Sequence, residues 1–233
     1  KSIMNFLSLA AEEKVTSILP VPKGAALDAS SVLFVTEQGV AKRVAAKAFA
    51  DVRRSGIIAI NLQKGDRLIS ANLAQTGDTA SLVTSKGQSI RFDVEEVREM
   101  GRTAGGVRGM SVKKGDAVVS AEVIPVAIAK KASLLVVMSK GYGKRTEMDE
   151  YKVHGRGGSG IKTAEVTSKT GEIIGAKVVV SGEEESDELV VISKKGQVIR
   201  TKVDEIPTLS RATQGVRVMR LYEGDSIASI VAL

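Results

Sequence analysis

The chain has 233 residues, 43% of them hydrophobic and 26% charged, which is material for a sizeable core; with aromatics at 3% and no Trp, that core must be aliphatic. So few rings exclude a stacking platform for single-stranded bases, and the absence of Cys removes disulfides and thiolate metal sites together. A formal charge of +7 and a pI near 9.5 favour a polyanionic partner, and with no apolar run of membrane-spanning length the expectation is a soluble, cytoplasmic protein.

Residues 1–22 (KSIMNFLSLAAEEKVTSILPVP) begin without an initiator-like Met and lack the long apolar core of a signal peptide. Residues 2–13 could pass for an amphipathic helix. Their match to later hairpins instead makes 1–22 the closing hairpin of a partial unit, with Glu12-Glu13 at its turn. At 32–44 the chain reads VLFVTEQGVAKRV: an apolar run, a small polar turn ending in Gly, and a short basic strand. The same pattern returns as SLVTSKGQSIRF (81–92), LLVVMSKGYGKRT (134–146) and LVVISKKGQVIRT (189–201). The turn glycines Gly39, Gly87, Gly141 and Gly196 lie 48, 54 and 55 residues apart, a period of roughly 50 residues that signals a propeller or array.

A second hairpin follows each first one, at 55–73, 106–124, 159–179 and 214–233, turning at Gly65-Asp66, Gly115-Asp116, Gly171-Glu172 and Gly224-Asp225. The reading is a single all-β domain over 1–233: a partial blade at 1–22, then four blades at about 23–73, 74–127, 128–180 and 181–233. Each whole unit offers four strands, the content of one propeller-like blade. A lone sheet of that size cannot bury its faces, so neighbouring units must pack on each other. Linkers fall at 23–31, 74–80, 125–133 and 181–187; the last is acidic and has no assigned function.

Aligned on the first-hairpin glycines, the units share a basic column at Arg43, Arg91, Arg145 and Arg200, preceded by Lys42, Ile90, Lys144 and Ile199. Two readings of the Arg column are open: a duplex-facing surface, or ion pairs within each blade to Asp66, Asp116, Glu172 and Asp225. A second column lies in the glycine-rich crossovers, at Arg102, Arg156 and Arg211, with Arg53 or Arg54 serving in the first unit. Small residues around one Arg let the backbone approach a phosphate and donate N–H groups alongside the guanidinium. The alternative is a turn chosen only for its dihedrals, its Arg solvated. Because an Arg recurs in every unit, phosphate contact is the reading adopted. Lys42, Lys144, Arg108, Lys162 and Arg217 complete the candidate DNA-binding set.

Gly155-x-Gly157-x-x-Gly160 has the spacing of a dinucleotide fingerprint but lacks the apolar strand before it and the helix after it. In GYGKRT, Met138 stands where a phosphate-binding loop needs its first Gly, and Arg145 where it needs Ser or Thr. One His and no Cys leave no ordinary metal or nucleophile set. No cofactor and no catalysis within this chain are expected.

At GRTAGGVRGM, GYGKRT, YKVHGRGGSGIKT and RATQGVRVMRLYEGD the sequence resembles the C-terminal domain of the DNA gyrase A subunit, in matching order along essentially the whole chain. The resemblance implies a β-pinwheel, an array of propeller-like blades with exchanged outer strands. It also implies wrapping of double-stranded DNA around a basic rim, in partnership with the gyrase B subunit that hydrolyses ATP and with the rest of the gyrase A subunit, in the bacterial cytoplasm. The family's Gln-x-x-Gly-Gly-x-Gly box would precede Lys1; its nearest relic is residues 154–160, with His154 in place of Gln. The similar domain of the topoisomerase IV subunit is the second choice. A propeller used as a docking platform for an acidic protein is the alternative from another class.

Overall fold

In a computed structural model, which describes residues 15–21, 27–52, 56–180 and 188–233, the aliphatic runs and glycine turns form a series of antiparallel sheets. The first unit supplies β1 (Ser31–Thr36), β2 (Val40–Ala45) and β3 (Leu68–Ala74). The second supplies β4 (Thr79–Thr84), β5 (Gln88–Asp93), β6 (Val107–Arg108) and β7 (Val118–Ile124). In the third are β8 (Ala132–Met138), β9 (Tyr142–Glu147), β10 (Ile161–Lys162) and β11 (Ile173–Val180). The fourth holds β12 (Glu188–Ser193), β13 (Val198–Lys202), β14 (Val216–Arg217) and β15 (Ile227–Ala232).

The sheets cross the unit boundaries. Their strand orders are β3-β1-β2-β6, β10-β5-β4-β7 and β11-β8-β9-β14, so the outermost strand of each comes from the following unit; the fourth, β13-β12-β15, has three strands among the described residues. This exchange is the β-pinwheel arrangement. Val40 pairs with Arg108, Gln88 with Lys162 and Tyr142 with Arg217 at equivalent registers. Gly160, which leads into β10, has φ +74, and a Cβ there would lie 2.4 Å from the Ser89 carbonyl oxygen. Only Gly supplies both that dihedral and that closeness. Residues 15–21 and 56–60 carry no regular strand, although the second-hairpin pattern had suggested one. Residues 1–14, with their strand reading, lie outside the described set.

Aliphatic cores form between consecutive sheets. Leu33, Val35, Leu82, Phe92 and Met110 fill the first interval, Leu134, Met138, Met148 and Tyr151 the second, and Leu135, Val137, Leu189 and Val203 the third. β8 is buried along its whole length because sheets cover both its faces, whereas β12 alternates and is covered on one. From sheet to sheet, β3, β7, β11 and β15 run side by side. Asn72 Nδ2 donates to the Ala121 carbonyl at 2.9 Å, Ser120 Oγ donates to that of Ala176 at 2.7 Å, and Lys177 pairs with Glu122 at 2.7 Å.

A second set of ties runs from each sheet to the 3₁₀ turn of the next unit, at Val94–Glu96, Met148–Glu150 and Val203–Glu205. Arg43 Nε donates to the Val97 carbonyl at 2.8 Å. Arg91 Nη1 donates to the carbonyls of Met148 (3.0 Å) and Tyr151 (3.2 Å). Arg145 Nε donates to that of Ile206 at 2.6 Å, and its Nη1 pairs with Asp204 at 3.2 Å. In return the main-chain carbonyls of Arg43, Arg91 and Arg145 accept from the N–H groups of Met100, His154 and Leu209. Arg200, on the sheet with three described strands, is exposed and pairs with Glu188 inside its own sheet.

The neighbouring column is more deeply placed. Lys42 and Lys144 are fully buried. Lys42 Nζ donates to the carbonyls of Ala59 (2.8 Å) and Arg102, and Lys144 Nζ to those of Arg211 (2.6 Å) and Ser210. Ile90 and Ile199 occupy the equivalent places. Desolvation lowers both ammonium pKa values, with Arg102 adding to the shift at Lys42; Lys144 falls from 10.5 to about 8, Arg211 lowering it further and Glu150 opposing.

Two measurements test these ties. Arg91→Ala leaves the inward Tyr151 carbonyl without a donor, and the Met148 carbonyl with only the Tyr151 N–H, and should lower stability by about 1–3 kcal/mol, while Arg200→Ala, which breaks one exposed pair, should cost no more than about 0.5 kcal/mol. Denaturant titration of the two variants compares them, and equal losses would remove the stapling role of Arg91. For Lys144 the folded state binds fewer protons than the unfolded chain between pH 8 and 10.5, so stability should rise with pH across that window. The gain should be of order 1–3 kcal/mol, and Lys144→Ile should abolish it; a profile identical in both proteins would rule out Lys144 as its source.

Candidate nucleic-acid interface

The candidate cations separate into three depths. Lys42 and Lys144 lie in the interior with their ammonium groups on carbonyls, so neither can face a duplex. Arg43 and Arg91 are half-buried and Arg145 is buried, each committed to the next unit's turn. The duplex-facing reading of these three is therefore corrected. The ion-pair alternative fails as well for the three turn aspartates, which are engaged elsewhere. Asp66 Oδ1 accepts from the Gln38 and Arg67 N–H groups. Asp116 Oδ1 accepts from Ser85 Oγ and from the N–H groups of Lys86 and Ala117. Asp225 receives Ser193 Oγ and the Lys195 and Ser226 N–H groups, donors that hold its pKa low against partial desolvation, and Glu172 is exposed.

The crossover column is half-buried and engaged along the rim. Arg102 Nη1 donates to the Ile58 carbonyl at 3.2 Å, Arg156 Nη1 to that of Arg108 at 3.0 Å, and Arg211 Nη1 to that of Lys162 at 3.3 Å. Ile58, Arg108 and Lys162 each stand two residues after the crossover glycine of the preceding unit, so one contact is made three times. Glu96 Oε2 accepts from the Arg156 N–H, and Glu150 Oε2 from that of Arg211. The glycines here bring chain to chain, and part of each guanidinium is taken by a carbonyl. Arg53 and Arg54 lie outside the described residues.

Arg108, Lys162 and Arg217 remain at the surface, exposed on the outermost strand of successive sheets. Lys162 pairs with Glu165, and Arg217 Nη2 donates to Tyr142 OH at 3.2 Å. The sequence reading missed a further set. Each turn acid that bonds across to the first hairpin joins the two turns of its unit, and lysines cluster there: Lys86 with Lys113 and Lys114, and Lys194 with Lys195, all exposed. Lys140 and Lys169 are the exposed lysines at the turns of the third unit. A Lys immediately before the first-hairpin glycine, at 86, 140 and 195, was the available signal. The first unit has Glu37 and Gln38 instead, with Glu37 paired to Arg67 at 2.8 Å.

A family model described as the DNA gyrase C-terminal domain, beta-propeller, matches residues 30–75, 80–125, 133–179 and 187–233. The DNA gyrase A subunit of Lawsonia intracellularis is 40% identical over 222 residues, covering 95% of this chain and 26% of that protein. This chain thus spans about a quarter of the length of that relative. A solved structure of a DNA gyrase A C-terminal domain superposes with TM-score 0.85 at 26% identity, covering 100% of this chain and 74% of that one. A crystal structure of the C-terminal domain of DNA topoisomerase IV gives TM-score 0.87 at 26% identity, with 100% and 70% covered. With four repeats matched by the family model and the exchanged strands in place, the chain belongs to the DNA gyrase C-terminal domain family.

Proposed function

We propose that this chain binds duplex DNA without sequence preference and bends it around the edge formed by its outermost strands. One observation carries the reading: an exposed cation recurs at the same register of three successive exchanged strands, Arg108 opposite Val40, Lys162 opposite Gln88 and Arg217 opposite Tyr142. Lysines at the joined hairpin turns extend that edge. Affinity then comes largely from phosphate neutralisation and counterion release. Among the described residues no helix is available to read a major groove, so sequence preference reduces to ease of bending. Smooth bending of 20–30 base pairs costs of order 1–6 kcal/mol, so contacts must continue from unit to unit to offset it.

In the intact protein this activity would serve a type II topoisomerase. The gyrase B subunit, together with the rest of the gyrase A subunit, would supply ATP hydrolysis and strand passage in the bacterial cytoplasm, with no catalysis here.

If six to ten phosphates are engaged, affinity for a duplex should fall about 10³–10⁵-fold between 50 and 200 mM salt. Relaxed plasmid incubated with the protein and a nicking-closing enzyme should change its linking number. Salt-insensitive binding with unchanged topology would instead favour a protein-docking platform.

A further inference from the structure

The rim is not uniform. Between the third and fourth units the repeat pattern is broken by a bay built on Tyr142, where the equivalent positions hold Val40, Gln88 and Gln197. The ring is itself buried. Lys169 Nζ lies 5.4 Å from its centroid, the Arg217 guanidinium carbon lies 5.6 Å from it, and Arg217 Nη2 donates to the phenol oxygen at 3.2 Å. Arg220 and Lys140 line the same cavity. At the Arg220 position the other units carry Asn61, Ser111 and Glu165, and Glu165 neutralises Lys162. The acid lining this bay is Asp225, whose carboxylate already accepts from Ser193 Oγ and from turn N–H groups.

Cations gathered on one aromatic ring repel each other, and an anion among them removes that repulsion. Because the phenol oxygen accepts from Arg217, its own O–H is available to donate outward. That hydrogen bond, with Lys169 nearby, holds the phenol below its usual range, which makes it a stronger donor. Lys140, whose ammonium donates to the Ser168 carbonyl, is held at the same mouth.

We propose that this bay is a dedicated phosphate site: Arg217, Lys169 and Arg220 neutralise one phosphate group while the Tyr142 hydroxyl fixes an oxygen. Resting on the wrapping reading, the phosphate is a phosphodiester of the bound duplex, and the bay is its strongest single anchor. The same chemistry would hold a free oligophosphate.

The test compares two double variants of equal charge loss: Lys169→Ala with Arg217→Ala in the bay, and Arg108→Ala with Lys113→Ala at an ordinary stretch of rim. All four side chains are exposed, and circular dichroism checks that both variants fold. Duplex affinity at fixed salt should fall at least ~10-fold further for the bay variant than for the rim variant, the scale set by charge-assisted hydrogen bonds in a focused site. Inorganic tripolyphosphate, titrated calorimetrically, should bind the unaltered protein and the rim variant but not the bay variant. Tyr142→Phe should weaken both ligands by a few-fold, of order one neutral hydrogen bond.

Equal losses of duplex affinity, together with tripolyphosphate binding that ignores the bay variant, would overturn the proposal. If tripolyphosphate discriminates as expected while duplex binding is salt-insensitive and unchanged in both variants, the wrapping reading fails. The bay then stands as a site for a free oligophosphate.

Discussion

The structure depends on main-chain carbonyls at the ends of the 3₁₀ turns finding donors in the unit before them. A carbonyl turned inward without a partner costs on the order of 1–3 kcal/mol, and Val97, Tyr151 and Ile206, which end the three turns, are all buried between sheets. A guanidinium answers this need because it presents several fixed donors and never loses its proton at ordinary pH. Arg43, Arg91 and Arg145 meet it from the preceding sheet, and the exchanged strand adds its own ladder beside them. Sheets that are each too small to bury two faces thus become one body. Burial opposes the charge, and the Arg91 guanidinium is held below its ordinary pKa for that reason.

This division of labour separates affinity from architecture. Part of the basic character that raises the pI holds units together, while the exposed cations sit on the outermost strands and at the joined turns. The proposed wrapping would require such a surface to be ordered in advance, since ordering it on binding would add to the cost of bending the polymer. Shared strands supply that rigidity. The spacing of rim cations is set by backbone pairing, with Arg108, Lys162 and Arg217 all placed by the same register.

Departures from the repeat are as informative as the repeat itself. Glu37 and Gln38 remove the turn lysine from the first unit, and Tyr142 concentrates charge between the third and fourth. Under the proposed wrapping function, an edge graded in this way would give a bound polyanion a preferred starting point along an otherwise repetitive track.

The residue pattern alone showed the four repeats from residue 30 onward, that they are sheets, and where they turn, because aliphatic runs and positive-φ glycines are local requirements that each unit states for itself. It also brought the Arg columns into view, but it could not assign them. Whether Arg91 meets a phosphate, an aspartate or the Met148 carbonyl depends on which neighbour lies against it, and that neighbour is 57 residues away in the chain. Likewise Lys42 and Lys162 both read as strand lysines, yet one is enclosed where consecutive units meet and the other stands at the outside. Strand exchange and sheet packing decide between them, since burial is a property of what covers a side chain and not of the side chain itself.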